Sequence, residues 1–255
     1  MLEARSLTKC YSSIPAIDQV SFAVGPGEVL GYLGPNGSGK STTVKIIIGL
    51  LEPTSGMVLF NGSSIHDNLA AYKRRVGYVP EEANLYPFLS GLEYLQLTGR
   101  LRGLPSRVIQ KRAGALLEVF SMHAHRHTSI STYSKGMRQR ILLISALLHN
   151  PEVLVFDEPL SGLDVTSALI FRKLIVALSR EGKAIFYCSH VLEIVEKVCS
   201  HVIILQRGKQ LAYGSVDELK RLQQRPSLEA AFSQLMQETD AEESTNAIVD
   251  AVVNA

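Results

Sequence analysis

Residues Gly34, Pro35, Asn36, Gly37, Ser38, Gly39, Lys40 and Ser41 match the pattern G-x-x-x-x-G-K-[ST] in full, and the strand-like run from Glu28 to Leu33 leads straight into them. Glycines at this spacing let backbone N–H groups converge on phosphate oxygens. Lys40 places a point charge near the β and γ phosphates, and the Ser41 hydroxyl can ligate Mg²⁺. Thr42 completes the candidate phosphate-binding set. After it Val44, Ile46, Ile47, Ile48, Leu50 and Leu51 read as a buried helix whose N-terminal N–H groups favour anions. The chemistry implied is binding of a nucleoside triphosphate.

A second reactive pair stands far along the chain. Val153-Leu-Val-Phe156 is an apolar strand that ends in Asp157 and Glu158, with Pro159 next. Side chains alternate along a strand, so its tip can aim one carboxylate at a Mg²⁺ shell and set the next beside an attacking water. Asp157 suits the metal, through a bound water, and Glu158 suits a general base or water-orienting group. Upstream runs Tyr133-Ser-Lys-Gly-Met-Arg-Gln-Arg140, downstream runs Ser161-Gly-Leu-Asp164, and Ser189-His190 close another apolar strand.

With these motifs in this order, the chain resembles, over nearly its whole length, the ATP-binding subunit of ATP-binding cassette (ABC) transporters. The run at Tyr133 resembles the family's signature motif, Ser161 to Asp164 its D-loop, and His190 its switch histidine. The resemblance implies a P-loop NTPase fold with a RecA-like parallel sheet core, an antiparallel β layer and an inserted α-helical subdomain. In that family two cassettes pair head to tail, and ATP on one phosphate loop is capped by the signature of the other. By resemblance, then, Ser134 and Gly136 contact the γ-phosphate in trans, aided by a helix starting near Met137, and Asp164 sits at the dimer seam. His190 hydrogen-bonds the γ-phosphate and holds Glu158 and the water in line, and Tyr11 stacks on adenine. ATP and Mg²⁺ are the implied ligands, and ATP hydrolysis, with Lys40, Glu158 and His190 as its catalytic groups, is the implied activity.

The chain departs from the family's pattern in two places. Lys135 and Met137 stand where the usual signature has glycine and glutamine, and Glu81, within Tyr78-Val-Pro-Glu-Glu82, replaces the usual Q-loop glutamine. A carboxylate is still a hard oxygen ligand, so Glu81 joins Ser41 and Asp157 as a candidate Mg²⁺ ligand, although its charge alters how the ion is held. Together with Asn84 to Leu89, these departures resemble the subgroup that serves ABC-2 type exporters. That implies export through separate polytopic permease subunits, with a second copy of the chain or a paralogous cassette as partner, on the cytoplasmic side of the cell membrane. His123, His125 and His127 alternate as H-x-H-x-H, which on a strand would invite Zn²⁺. The surrounding segment reads as helix or loop, where only His123 and His127 share a face, so they read as solvated.

The elements that must position these groups follow from the hydrophobic pattern. Apolar runs at Val29 to Leu33, Val76 to Val79, Val153 to Phe156, Ala184 to Cys188 and Val202 to Leu205 alternate with helical segments, the mark of an α/β domain with a largely parallel sheet. Alternating stretches near Leu2 to Thr8, Ile17 to Val24 and Met57 to Asn61 predict an antiparallel layer beside it. Between about Leu89 and Asn150 leucine-rich helical periodicity takes over, predicting a helical insertion. We expect a nucleotide-binding domain over 1–220, with the insertion at about 89–150. A helical extension and acidic tail, frayed from about Thr239, would occupy 221–255.

Composition narrows the remaining classes. At 255 residues, 46% hydrophobic and 20% charged, the chain can bury a full core, and a formal charge of +2 supplies no general field for gripping nucleic acid. The longest apolar stretches, Ile141 to Leu148 and Val44 to Leu51, fall short of a membrane span. Met1 to Arg5 carries no charged-then-apolar leader, and the three scattered cysteines, Cys10, Cys188 and Cys199, predict reduced core thiols. The basic group Arg100, Arg102, Arg107, Lys111 and Arg112 reads as a solvated helix face, or as a surface near lipid headgroups or a partner.

Overall fold

The computed structural model describes residues 1–160 and 165–236. In chain order its elements are β1 (Leu2–Tyr11), β2 (Ile14–Val24), β3 (Val29–Leu33), α1 (Lys40–Ile47), β4 (Ser55–Phe60), β5 (Ser63–Ser64), α2 (Leu69–Lys73) and β6 (Val76–Val79). There follow α3 (Gly91–Leu101), α4 (Ser106–Val119), α5 (Lys135–Leu148), β7 (Val153–Asp157), α6 (Val165–Arg180), β8 (Ala184–Cys188), α7 (Leu192–Val198), β9 (His201–Gln206), β10 (Lys209–Ser215) and α8 (Val216–Leu222). Residues 228–236 form a further helix.

Two sheets make the frame. One is antiparallel, in the order β2-β1-β4-β5; the other runs β10-β9-β3-β8-β7-β6, parallel throughout except for the β10 edge. The parallel strands are apolar on both faces because both faces are covered. Their side chains alternate between two cores. Leu30, Tyr32, Val153, Val155, Phe186, Ile203 and Leu205 pack with α1 and the antiparallel sheet. Val29, Leu33, Leu154, Phe156, Ile185, Tyr187, Val202 and Ile204 pack on the other side, with Phe171 and Ile175 of α6 and Val195 of α7. A third core, around Leu95, Ile109, Leu117, Tyr133, Ile141 and Ile144, belongs to the helices inserted between β6 and β7. Helix α3 starts on a capping box in which Ser90 and Glu93 satisfy each other's backbone N–H groups.

Several expectations need correcting. Helix α1 ends at Ile47, because Gly49 turns left-handed at φ 69°, so Leu50 is 64% exposed rather than part of a buried helix. Helix α5 starts at Lys135, not near Met137. Cys188 and Cys199 are buried free thiols, but Cys10 lies on β1 and is only half-buried. His123 and His125 sit in a single 3₁₀ turn, and His123 Nδ1 faces Glu118 at 3.1 Å and the Arg126 guanidinium at 3.2 Å. Two cations of the basic group do not belong to a free face. Arg102 is half-buried, and Arg112 donates to the Leu148 carbonyl at 3.1 Å. No helix among the described residues is long and apolar enough to cross a membrane. The acidic residues after Met236 lie outside the described residues.

Candidate nucleotide site

Four parallel strands deliver their carboxyl ends to one place. The loop after β3 carries 34–39, Glu81 follows β6, Asp157 ends β7, and His190 follows β8. Ligand sites of open α/β sheets form at this edge. There a cleft of about 550 Å³ is lined by Gly34, Pro35, Asn36, Gly37, Gly39, Lys40, Ser41, Thr42, Glu81, Asp157, Glu158 and His190, together with Ala16 of β2.

The phosphate loop is shaped by backbone constraints. Gly39 precedes α1 at φ 105°, and a Cβ there would lie 2.5 Å from the Ala16 carbonyl oxygen, so no other residue fits. At Gly34 a Cβ would meet Ser38 Oγ at 2.4 Å and the Leu205 oxygen at 2.6 Å, which allows the loop to lie flat on β9. Ser38 is therefore the one phosphate-loop candidate whose side chain turns inward: it is buried and does not line the cleft. Lys40 Nζ donates to the carbonyls of Gly34 at 2.7 Å and Pro35 at 3.0 Å, bridging the loop across its mouth. Thr43 locks the first turn from below through Tyr32 Oη at 2.8 Å and the Gly39 carbonyl at 3.2 Å. The first N–H groups of α1 lack carbonyl partners within the helix and face the cleft with its positive dipole end.

The carboxylates face this loop. Strand β7 ends at Asp157, and Glu158 already lies outside it, at φ 45°, with its N–H bound to the Cys188 carbonyl at 2.9 Å. A left-handed turn, and not strand alternation, therefore separates the two carboxylates. Burial pushes the Asp157 carboxyl up from its usual range; a hydrogen bond with Cys188 opposes this, and the charges of Glu81 and Glu158 add to it against the pull of Lys40. Glu158 Oε2 receives His190 Nδ1 at 2.8 Å and the Ser189 hydroxyl at 3.4 Å. The donor set of Ser41, Asp157 and Glu81 is all oxygen, and it sits in a cleft where burial and then the charges of Glu81 and Glu158 disfavour the charged form of Asp157. Both facts fit a hard divalent cation such as Mg²⁺.

Other predicted residues lie elsewhere. Ser134 is exposed and caps α5, accepting the Met137 N–H at 3.2 Å; neither it nor Gly136 lines the cleft. Tyr11 ends β1, 51% exposed, with Lys9 Nζ 5.8 Å from its ring centroid, and is also absent from the lining. Asp164 lies outside the described residues. Three residues that the sequence reading did not single out belong to the site. Ala16 was hidden because its contribution is a backbone carbonyl. In the sequence Ser189 stands out only as the neighbour of His190. Gln139, inside the Tyr133 to Arg140 motif and 1% exposed, donates to the Pro159 carbonyl at 3.0 Å and ties α5 to the carboxylate turn.

A phosphate loop on β3, paired carboxylates at the end of β7 and a helical insertion bearing an exposed, capped motif together define a cassette ATPase. The sequence model of the family described as ABC transporter matches residues 17–161, and the chain belongs to that family as an ATP-binding, ATP-hydrolysing subunit. Nod factor export ATP-binding protein I of Cupriavidus metallidurans is 34% identical over 219 residues, 86% of this chain and 72% of that protein. A solved structure of an ATP binding subunit of an ABC transporter matches with a TM-score of 0.88 at 32% identity, covering 92% of this chain and 99% of the other. The dimeric post-hydrolysis state of the cassette MJ0796, bound to ADP and Pi, matches with a TM-score of 0.78 at 26% identity, covering 84% and 98%.

Proposed function

We propose that two copies of this chain, or this chain and a paralogue, close head to tail on ATP and Mg²⁺ and so drive export through a separate membrane permease of the ABC-2 type. One observation carries this reading. The cleft is lined by phosphate-binding and carboxylate groups of this one chain, whereas the Ser134 and Gly136 motif stands at the N-terminus of α5 outside that lining, with Ser134 exposed. A second chain supplies the missing wall.

In this cycle Lys40 and the N–H groups of α1 bind the β and γ phosphates. Ser41, Asp157 and Glu81 would hold Mg²⁺, which neutralises charge on the transferring phosphoryl group. Glu158 accepts the proton of the attacking water, and His190, already on Glu158, reaches the γ-phosphate with its other ring nitrogen. Ser134 and the Gly136 N–H of the partner cap the γ-phosphate, Asp164 lies at the seam, and Tyr11 stacks on adenine. Hydrolysis removes the contacts that favour the closed pair, and it reopens. Inserted helices between Glu81 and Ser134 would pass this motion to the permease and keep the subunit peripheral at the cytoplasmic face of the membrane. The exporter direction is supported by the printed name of the relative from Cupriavidus metallidurans.

The test is Glu158→Gln with Mg²⁺ and ATP. Turnover should fall at least about 10²-fold, as for loss of a general base, while ATP binding persists and the dimer accumulates on size exclusion. Undiminished phosphate release, or a protein that stays monomeric with ATP bound, would remove the split-site reading.

A further inference from the structure

Glu158 has two carboxylate oxygens, and among the described residues both of its side-chain hydrogen bonds fall on the same one, Oε2. We propose that Ser189 is a positioning residue for ATP hydrolysis, which reserves the other oxygen of Glu158 for the attacking water. The inference rests on Glu158 acting as the base.

The geometry around Ser189 gives its hydroxyl a direction. Its oxygen accepts the Val191 N–H at 3.1 Å, and its single proton has Glu158 Oε2 at 3.4 Å as the charged acceptor, beside the buried Tyr187 hydroxyl. That distance is longer than the roughly 2.7 Å usual for O–H···O, and contacts of this kind commonly tighten only when substrate closes the site. Ser189 is 1% exposed, so water does not compete for the proton it offers. His190, the other group on Oε2, is 75% exposed in its side chain and meets full competition from solvent. The persistent tether is therefore the serine.

Glu158 needs such a tether because of its backbone. At φ 45° it has left the strand ladder, so the alternation that aims Asp157 does not aim its neighbour. Its N–H is fixed to the Cys188 carbonyl, but its side chain has freedom that only side-chain contacts remove. The same hydroxyl also joins β7 to the start of α7, whose N-cap residue Val191 has no side chain able to cap. One buried group thus ties the base to the strand–helix junction that carries His190.

The experiment compares Ser189→Ala with Ser189→Thr by steady-state phosphate release, by binding of a fluorescent ATP analogue with Mg²⁺, and by thermal melting. Ser189→Ala should lower kcat about 10- to 100-fold, the cost of a misplaced catalytic group, with nucleotide affinity within about twofold of the parent. Ser189→Thr, which keeps the hydroxyl, should recover most of the rate. Parental kcat in Ser189→Ala would overturn the assignment. So would a loss of rate matched by equal losses of affinity and melting temperature, or a threonine variant no better than alanine. Glu158→Gln run in parallel separates the two ideas. If Glu158→Gln keeps turnover, the base reading fails and Ser189 falls with it. If Glu158→Gln is dead while Ser189→Ala is fully active, only the serine's role is lost.

Discussion

The two ends of the site are built in opposite ways. At the phosphate loop several groups are held by contacts within their own chain. Gly39 is wedged against Ala16, Lys40 bridges two loop carbonyls, Thr43 is pinned beneath, and Asp157 and Glu158 are nearly buried. At the N-terminus of α5, Ser134 is exposed, and among the described residues its hydroxyl serves to cap its own helix. The first end is preorganised for charge before any ligand arrives, and the second is a surface awaiting one. On the proposed reading, nucleotide binding stays in the single chain and hydrolysis is reserved for a partnership.

That contrast can be broken at its strongest point. Gly39→Ala puts a Cβ 2.5 Å from the Ala16 oxygen at a left-handed φ, so the loop must distort. We expect ATP affinity to fall about 100-fold, equivalent to roughly 3 kcal/mol, measured by equilibrium binding of a fluorescent ATP analogue. Binding at parental strength would mean that the loop is not preorganised.

A gentler change sharpens the difference. Ser134→Ala removes a helix cap and should lower stability by about 1 kcal/mol in chemical denaturation. On the proposed reading, in which the hydroxyl serves the partner's nucleotide, turnover should drop about 10-fold while ATP affinity of the single chain is unchanged. Equal loss of affinity would place Ser134 in its own cleft.

A pH-dependent effect lies at the far end of α5, where His149 joins that helix to the sheet by donating Nε2–H to the Val76 carbonyl at 3.0 Å. Burial, followed by the nearby charge of Arg102, pushes its imidazole from 6.5 down to about 4. The unfolded chain therefore binds this proton more readily, and stability is lost as pH falls from about 6.5 to about 4. After allowing for solvent screening the loss is on the order of 2 kcal/mol. Denaturation curves across that window should show a shallower slope for His149→Asn. An unchanged slope would show that this end of α5 is not held in the core.

Much of this site could be read before any fold was known, for reasons specific to each part. Gly34 to Ser41 is contiguous, and its geometry is local: a strand, a turn of glycines and a helix. The parallel strands were visible because burial on both faces removes the need for alternation, as in Val153 to Phe156. What stayed hidden depends on long-range contact. Ala16 lies 23 residues before Gly39 yet shapes its turn, and Gln139 reaches Pro159 across 20 residues. Leu50 fits the helical pattern yet lies outside the helix, because that pattern cannot show where a left-handed glycine cuts it.

The chain's own sequence determined which chemistry is present: a phosphate-binding turn, a pair of carboxylates, and strands apolar enough to be enclosed. These are local properties, set by residue type and short-range geometry. Tertiary structure alone decided which carboxylate is aimed by a strand and which by a left-handed turn, that both Glu158 contacts fall on one oxygen, and that Ser134 stands away from the cleft. Those outcomes come from how distant segments pack, because a side chain's direction is fixed by neighbours that the linear order does not bring together.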